Sequence, residues 1–307
     1  MRSQKRKKKK WLKVTSIILL VLIIGAGAYA YTVYNSFKNA ANTMHEQVDR
    51  QSGKRDTAVS FKNKDPFTVL MLGVDERQGD KGRSDTMIVL AVNPNNKSVK
   101  MLSIPRDTRT QIVGKGTEDK INHAYAFGGV PMAMDTVENF LDIPIDYYMK
   151  VNMEGFKDIV DAVGGIKVQN NLDFTQDKIH FAKGDLKLNG TEALAYTRMR
   201  KQDPNGDFGR QGRQRQIIQG VIKEGASVSS LANYSDIFAA LGKNVKTNIA
   251  FDDLMDLQKN YKAAGSNIQQ MEIKETGTKI NKIYYGIVSA EEKQRVQSEL
   301  KTQLELK

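Results

Sequence analysis

Residues 14–34, VTSIILLVLIIGAGAYAYTVY, carry no charge and stand directly behind a tail dense in lysine and arginine. Nothing else in the chain narrows the possible folds as much. A helix rising 1.5 Å per residue needs about 20 apolar residues to cross the hydrocarbon core of a bilayer. Trp11 stands at one end of the run and Tyr29, Tyr31 and Tyr34 at the other, as interfacial anchors do. By the positive-inside rule, residues 1–13 are a cytoplasmic basic tail and everything after Tyr34 lies outside, a single-pass type II arrangement. Cleavage after Ala30, at Ala28-Tyr29-Ala30, is the competing reading. The apolar character that continues to Tyr34 favours a retained anchor.

The anchor also explains the charge. The net charge is +12, and the eight basic residues of 1–13 supply most of it, leaving only +4 on the remainder. A basic surface for nucleic acid is therefore not expected. The chain has no cysteine, which excludes disulfides, thiolate catalysis and zinc-thiolate sites. Three scattered histidines, His45, His123 and His180, make a histidine-based metal site a poor fit.

Residues 35–64 are polar with weak helical periodicity and read as a juxtamembrane spacer. A domain then runs from Asp65 to the C-terminus at 307. FTVLMLGVD (67–75), TMIVLAV (86–92) and SVKMLSIP (98–105) are short apolar runs between turn signals, hence strands. Residues 147–151, 165–168, 270–273 and 282–288 read as further strands. Helical patterns occupy 131–141, 153–163, 208–226, 231–241, 251–264 and 290–304, with Gly164-Gly165 as a stop. The alternation predicts one α/β domain, a mixed sheet between two helical layers. No second core is visible.

Three stretches can carry chemistry. Residues 73–86, GVDERQGDKGRSDT, place Asp75, Glu76, Arg77, Asp80, Arg83 and Asp85 between two strands. Ligands gather at such strand ends, and paired carboxylates suit a hard cation such as Mg²⁺; a solvated charged loop is the alternative. SIPRDTRT (103–110) presents Arg106-Asp107 directly after a strand, either as a site or as a surface ion pair. YTRMRKQDPNGDFGRQGRQRQ (196–216) holds Arg198, Arg200, Arg210, Arg213 and Arg215. Asp207 can cap a helix from Phe208. At ~100° per residue Arg210, Arg213 and Gln214 share the side that continues into Ile217, Ile218 and Val221, while Arg215 points to solvent. Arginines facing inward near a helix N-terminus call for an anion. If its segment is extended, Arg198 and Arg200 project together. No P-loop spacing and no G-x-S-x-G elbow is present, and His123 has no partner at metal-ligand spacing.

Taken in order, LMLGVDERQGDKGRSDTMIV, LSIPRDT, INHAYAFGG, LNGTEALAYTRMR and DFGRQGRQRQ resemble the LytR-CpsA-Psr family, over residues 65–226 and loosely beyond. The resemblance implies an extracellular, membrane-anchored phosphotransferase of a Gram-positive bacterium. Its donor would be an undecaprenyl-pyrophosphate-linked glycopolymer, wall teichoic acid foremost. Its acceptor would be the 6-hydroxyl of N-acetylmuramic acid in peptidoglycan, with undecaprenyl phosphate released. Carried over by motif, Asp75 and Asp85 would hold Mg²⁺, or Mn²⁺ in its place. Arg83, Arg106, Arg198, Arg200 and Arg210 would grip the pyrophosphate, with Gln214 close by. Asp85, Arg106 and Asp75 are the catalytic expectation, Asp85 the candidate base, and Asp107 an orienter of Arg106. The guanidinium fork, bidentate and always charged, suits phosphate oxygens. A non-catalytic prenyl-pyrophosphate-binding regulator and a lipid pyrophosphatase are the competing functions.

Overall fold

A computed structural model describes residues 2–76, 82–225 and 234–306. The chain opens with α1 (Arg2–Met44), one continuous helix. Side chains at 17–24 are each more than half exposed. An unbroken belt of leucine, isoleucine and valine facing outward is stable only in lipid. The helix is long and apolar enough from Thr15 onward to cross a membrane, so the protein is a single-pass membrane protein.

The same helix then becomes part of the domain. Ala40, Ala41 and Met44 are buried. The Phe37 ring lies 5.2 Å from that of Phe238 in α6 (Tyr234–Asn244) and 5.5 Å from that of Phe251 in α7 (Phe251–Asn260). Gly242 permits the contact, because a Cβ there would come within 3.2 Å of the Ala40 Cα. Farther on, Arg50 pairs with Asp135 and Glu138, and Arg55 with Asp146. Phe61 is 2% exposed among Phe67, Tyr147 and Tyr261. Residues 35–64 are thus an integral layer of the domain and not a spacer. Three of their basic side chains, Arg50, Lys54 and Arg55, are paired with carboxylates of the domain.

The central sheet is built from β1 (Phe67–Val74), β2 (Ser84–Asn93), β3 (Ser98–Ile104), β6 (Tyr147–Asn152), β11 (Val245–Thr247) and β12 (Ile268–Glu272), in the order β11-β6-β1-β2-β3-β12. The β1-β2-β3 meander is antiparallel, β6 is parallel to β1, β12 is parallel to β3, and β11 is antiparallel to β6. Alternation along β1 supplies both faces. Leu70 and Leu72 join the core under α2 (His123–Leu141) and α8 (Ala290–Gln303). Phe67 and Val69 pack on the opposite side with Tyr261. The three-layer α/β expectation with a mixed sheet holds.

A second core was not anticipated. Val160, Ile166, Val168, Phe174, Phe181, Leu188, Tyr196 and Ile217 form a separate buried cluster. It is walled by α3 (Met153–Ala162), β7 (Ile166–Asn170), β8 (Phe174–Gln176), β9 (Ile179–Phe181), β10 (Gly184–Leu188), α4 (Gly190–Arg198) and α5 (Gly206–Gly225). The strands there are three to five residues long, too short to show a period. Helix α4 announces itself only through its capping box, in which Asn189 and Glu192 exchange side-chain and backbone bonds. Two further hairpins, β4 (Arg109–Ile112) with β5 (Thr117–Lys120) and β13 (Thr276–Ile280) with β14 (Ile283–Ile287), flank the end of β3.

Candidate active site

Strand β1 runs out at Val74, and its partner β2 begins with an irregularity. Gly73 pairs with Thr86 and Val74 with Ser84, which leaves Asp85 as the extra residue of a bulge. A bulge re-aims a side chain that regular pairing would bury or splay. Asp85 Oδ1 accepts from Arg106 Nη1 at 2.9 Å and from Asn122 Nδ2 at 3.5 Å. Asp75 follows β1 directly, its N–H bonded to the Arg83 carbonyl at 3.3 Å. Gly82, at φ +65°, has the Asp75 carbonyl within 2.1 Å of where a Cβ would stand, so only glycine closes this turn. Arg83 is exposed. Arg77 and Asp80 lie outside the described residues.

Arg106 follows Pro105 at the end of β3, in a turn closed by Thr108 N–H on the Pro105 carbonyl. Asp107 accepts from Lys120 Nζ at 2.5 Å and has its other oxygen 3.7 Å from Arg106 Nε, so it flanks the guanidinium. Burial disfavours the charged Arg106, but Asp85, by charge and hydrogen bond, and Asp107 and Asp207, by charge, outweigh it and hold its pKa above the ordinary value.

Helix α5 brings the third component. Arg210 is 9% exposed, with Nη2 2.7 Å from Asp207 Oδ1. Its pKa is lowered. Burial is the main cause, and repulsion from Arg106 and Arg200 adds to it against the attraction of Asp207 and Asp85. A cation held at a cost beside two others is a cation waiting for an anion. Gln214, one turn on and half-buried, shares that face.

Arg200, exposed after α4, contributes to the field at Arg210. Arg198 does not pair with it. α4 stays helical through Arg198, and the chain turns extended only at Met199, so the two side chains diverge. Arg198 Nη2 lies 3.1 Å from Met153 Sδ and its Nη1 3.8 Å from Asp177.

The remaining two arginines are structural. Arg213 donates to the Tyr196 and Met199 carbonyls and to Asp203 Oδ2 at 2.6 Å, and lies over the Phe174 ring. Arg215, expected in solvent, is 3% exposed and donates to Gln270 Oε1 at 2.8 Å, Ser103 Oγ at 3.0 Å and Glu272. α5 is covered on two sides, by the second core and by the β3-β12 edge. A single apolar stripe could reveal only the first.

Among the described residues, seven buried side-chain polar atoms lack a hydrogen-bond partner, and six belong to this place: Ser84 Oγ, Arg106 Nε, Asn122 Oδ1, Asp207 Oδ1, Arg210 Nε and Gln211 Oε1. The Asp207–Arg210 approach is thus an ion pair without hydrogen-bond angles. Unsatisfied buried groups cost about 1–3 kcal/mol each, so their clustering marks a site built for a polar ligand. Asp207, Ser84, Asn122 and Gln211 were missed as site residues. All four lay inside the quoted motifs; Asp207 was read only as a helix cap, and Ser84 gained significance only when the β2 bulge was placed.

No group of three or more carboxylates and imidazoles that could cage a metal is present among the described residues. Asp75 and Asp85 at one ladder end remain as hard oxygen donors. That set fits Mg²⁺, which takes one or two carboxylates and completes its shell with phosphate oxygens and water.

Known proteins resemble this chain over most of its length. The LytR_cpsA_psr family model matches residues 31–302. The polyisoprenyl-teichoic acid–peptidoglycan teichoic acid transferase TagU of Bacillus subtilis (strain 168) is 54% identical over 99% of this chain and all of its own length. The crystal structure of B. subtilis TagU covers 80% of this chain and 99% of that one with a TM-score of 0.64. A structure of TagT bound to LIIa-WTA, 32% identical, covers 84% of this chain and 98% of that one with a TM-score of 0.71.

Proposed function

The chain belongs to the LytR-CpsA-Psr family, and we propose that it transfers an anionic glycopolymer, wall teichoic acid foremost, from a polyisoprenyl-pyrophosphate carrier to peptidoglycan. The two orphaned guanidinium donors, Arg106 Nε and Arg210 Nε, carry this reading. A pyrophosphate bridging these groups would satisfy both Nε–H donors at once, while Asp85 and Asp207 keep the two guanidinium planes apart and aimed. Arg200 and Arg83, both exposed, would bind the same anion from the open side. Arg198, engaged with Asp177 and Met153, would have to swing to join them.

Cleaving a phosphoanhydride calls for charge stabilisation and alignment more than for covalent chemistry. The acceptor is the 6-hydroxyl of N-acetylmuramic acid, and the leaving group is undecaprenyl phosphate. Held by Asp75 and Asp85, Mg²⁺ would supply charge neutralisation on the pyrophosphate oxygens. The buried arginines do the same from the protein side, in a place where fixed donors outperform water. With α1 packed into the domain, the site is tied to the membrane that holds the prenyl chain. The positively charged tail supports an orientation with the N-terminus in the cytoplasm and the domain outside.

The test is to incubate full-length protein in detergent with a prenyl-pyrophosphate-linked polymer, Mg²⁺ and a peptidoglycan oligomer. Covalently joined polymer and peptidoglycan is the expected product. Intact donor would point to a binding regulator, and free polymer phosphate to a pyrophosphatase.

A further inference from the structure

We propose that Glu275 is the proton acceptor for the incoming hydroxyl, seated on Gly286 beside the Arg106 turn. The assignment rests on the phosphotransfer reading and names the base that reading lacks.

Topology brings the residue there. β12 runs parallel to β3, with Glu272 opposite Ser103, so both strands end on the same side of the sheet. Three residues past that pair, beyond both strand ends, come Glu275 after β12 and Arg106 after β3. Glu275 Oε2 accepts from Thr108 Oγ1 at 3.1 Å, and Thr108 closes the turn that holds Arg106. The carboxyl lies on the face of Gly286, where a Cβ would stand only 2.0 Å from Oε2. Gly286 in turn donates its N–H to the Asp107 carbonyl at 2.9 Å. The missing side chain at 286 is therefore the seat for this carboxyl.

The other carboxylates of the cluster are occupied. Asp85 is held by Arg106 and Asn122, Asp107 by Lys120, and Asp207 by Arg210 and Gln211. Among the described residues no cation is bonded to Glu275. Facing it are Asp107 from the turn and Asp207 from α5, and its own charge acts on Tyr284 of β14, which also lies in the field of Arg200. Burial pushes the Glu275 carboxyl up to about 7; the Thr108 hydrogen bond opposes this and the charges of Asp207 and Asp107 add to it. A base with that affinity is part ionised at neutral pH and basic enough to accept a proton.

The step balances. The acceptor oxygen bonds to the polymer-bearing phosphorus as its proton moves to a Glu275 carboxylate oxygen. The bond from that phosphorus to the bridging oxygen breaks, and its electron pair leaves with the prenyl monophosphate. Glu275 then returns the proton to water.

Transfer by full-length protein in detergent, measured from pH 5.5 to 9 at saturating donor, tests the proposal alongside donor affinity and thermal unfolding. Wild type should lose rate below a half-point near 7. Glu275→Gln should bind donor as wild type does, lose about 10²-fold or more in rate, and show no such limb. Gly286→Ala, which displaces the carboxyl without removing it, should fall in rate in the same way while unfolding within a few degrees of wild type. Glu275→Gln overturns the proposal if it transfers within threefold of wild type, keeps the limb, or loses donor affinity together with rate. Wild type that binds donor but forms no joined product overturns the phosphotransfer reading itself.

Discussion

Arg210 and Arg215 lie five residues apart on one helix, both buried, and replacing each with methionine should have unequal effects on stability. Arg215 is fully used. Its Nη1 satisfies Ser103 Oγ, which is 1% exposed, and its other nitrogens reach Gln270 and the half-exposed Glu272. In Arg215→Met, water can serve Gln270 and Glu272 again, so their share is small. Ser103 is stranded, at about 1–3 kcal/mol. A loss near 2 kcal/mol lowers the melting temperature of a domain this size by roughly 4–8 °C.

Arg210 has a buried Nε with no partner and a single ion pair at 2.7 Å. Arg210→Met removes the orphan and the repulsion from Arg106 and Arg200. Asp207 is left with Gln211 Nε2 at 2.9 Å and a quarter of its side chain in water. Losing the desolvated charge and the repulsion offsets the lost pairing with the partly exposed Asp207, so the net change is near zero, within about 1 kcal/mol. Differential scanning fluorimetry of the full-length protein should show Arg210→Met melting close to wild type and Arg215→Met below it. Inorganic pyrophosphate with Mg²⁺ should raise the melting temperature of wild type and Arg215→Met but not of Arg210→Met. An Arg210→Met protein as unstable as Arg215→Met would refute the assignment of Arg210 as a ligand-binding cation.

Arg106→Ala should cut transfer by about 10²-fold or more with little change in unfolding, because its partners are placed by the β2 bulge and by Lys120; normal transfer would remove it from the site. Chelation by EDTA should stop transfer and Mg²⁺ restore it, whereas Asp75→Asn and Asp85→Asn should need far more Mg²⁺ for the same rate; metal-independent transfer would refute the metal assignment. Gly190→Ala should destabilise by about 1–3 kcal/mol, because a Cβ would meet the Lys157 carbonyl at 2.3 Å; an unchanged denaturant midpoint would contradict that packing. Asp142, hydrogen-bonded by Lys301 and Lys54, is held at about 2. Its folded pKa is depressed, so its stabilising share is present above the unfolded value near 4 and is lost as pH falls toward 2; Asp142→Asn should flatten the acid limb of stability in that window.

Residues 14–34 determined the anchor by themselves, because a bilayer reads only length and apolarity. The strands at 67–75, 86–92 and 98–105 were equally legible, since apolar runs between turn residues leave a buried sheet as the economical fold. Arg210 was legible as an inward-facing cation for a related reason, since it begins a helix whose apolar stripe enters the core, whereas Arg106 read equally as a surface ion pair at a strand end. The spacer that became a structural layer, the second core, the divergence of Arg198 from Arg200 and the burial of Arg215 were decided elsewhere. Three of these depend on a neighbour distant in sequence, Asp135 for Arg50, Asn170 for Tyr196 and Gln270 for Arg215, and the divergence of Arg198 depends on how far α4 runs. The bulge that aims Asp85 and the parallel pairing that carries Glu275 to Arg106 are facts of register between strands. A one-dimensional pattern records which face a residue takes, but the partner across that face is set by how the layers close.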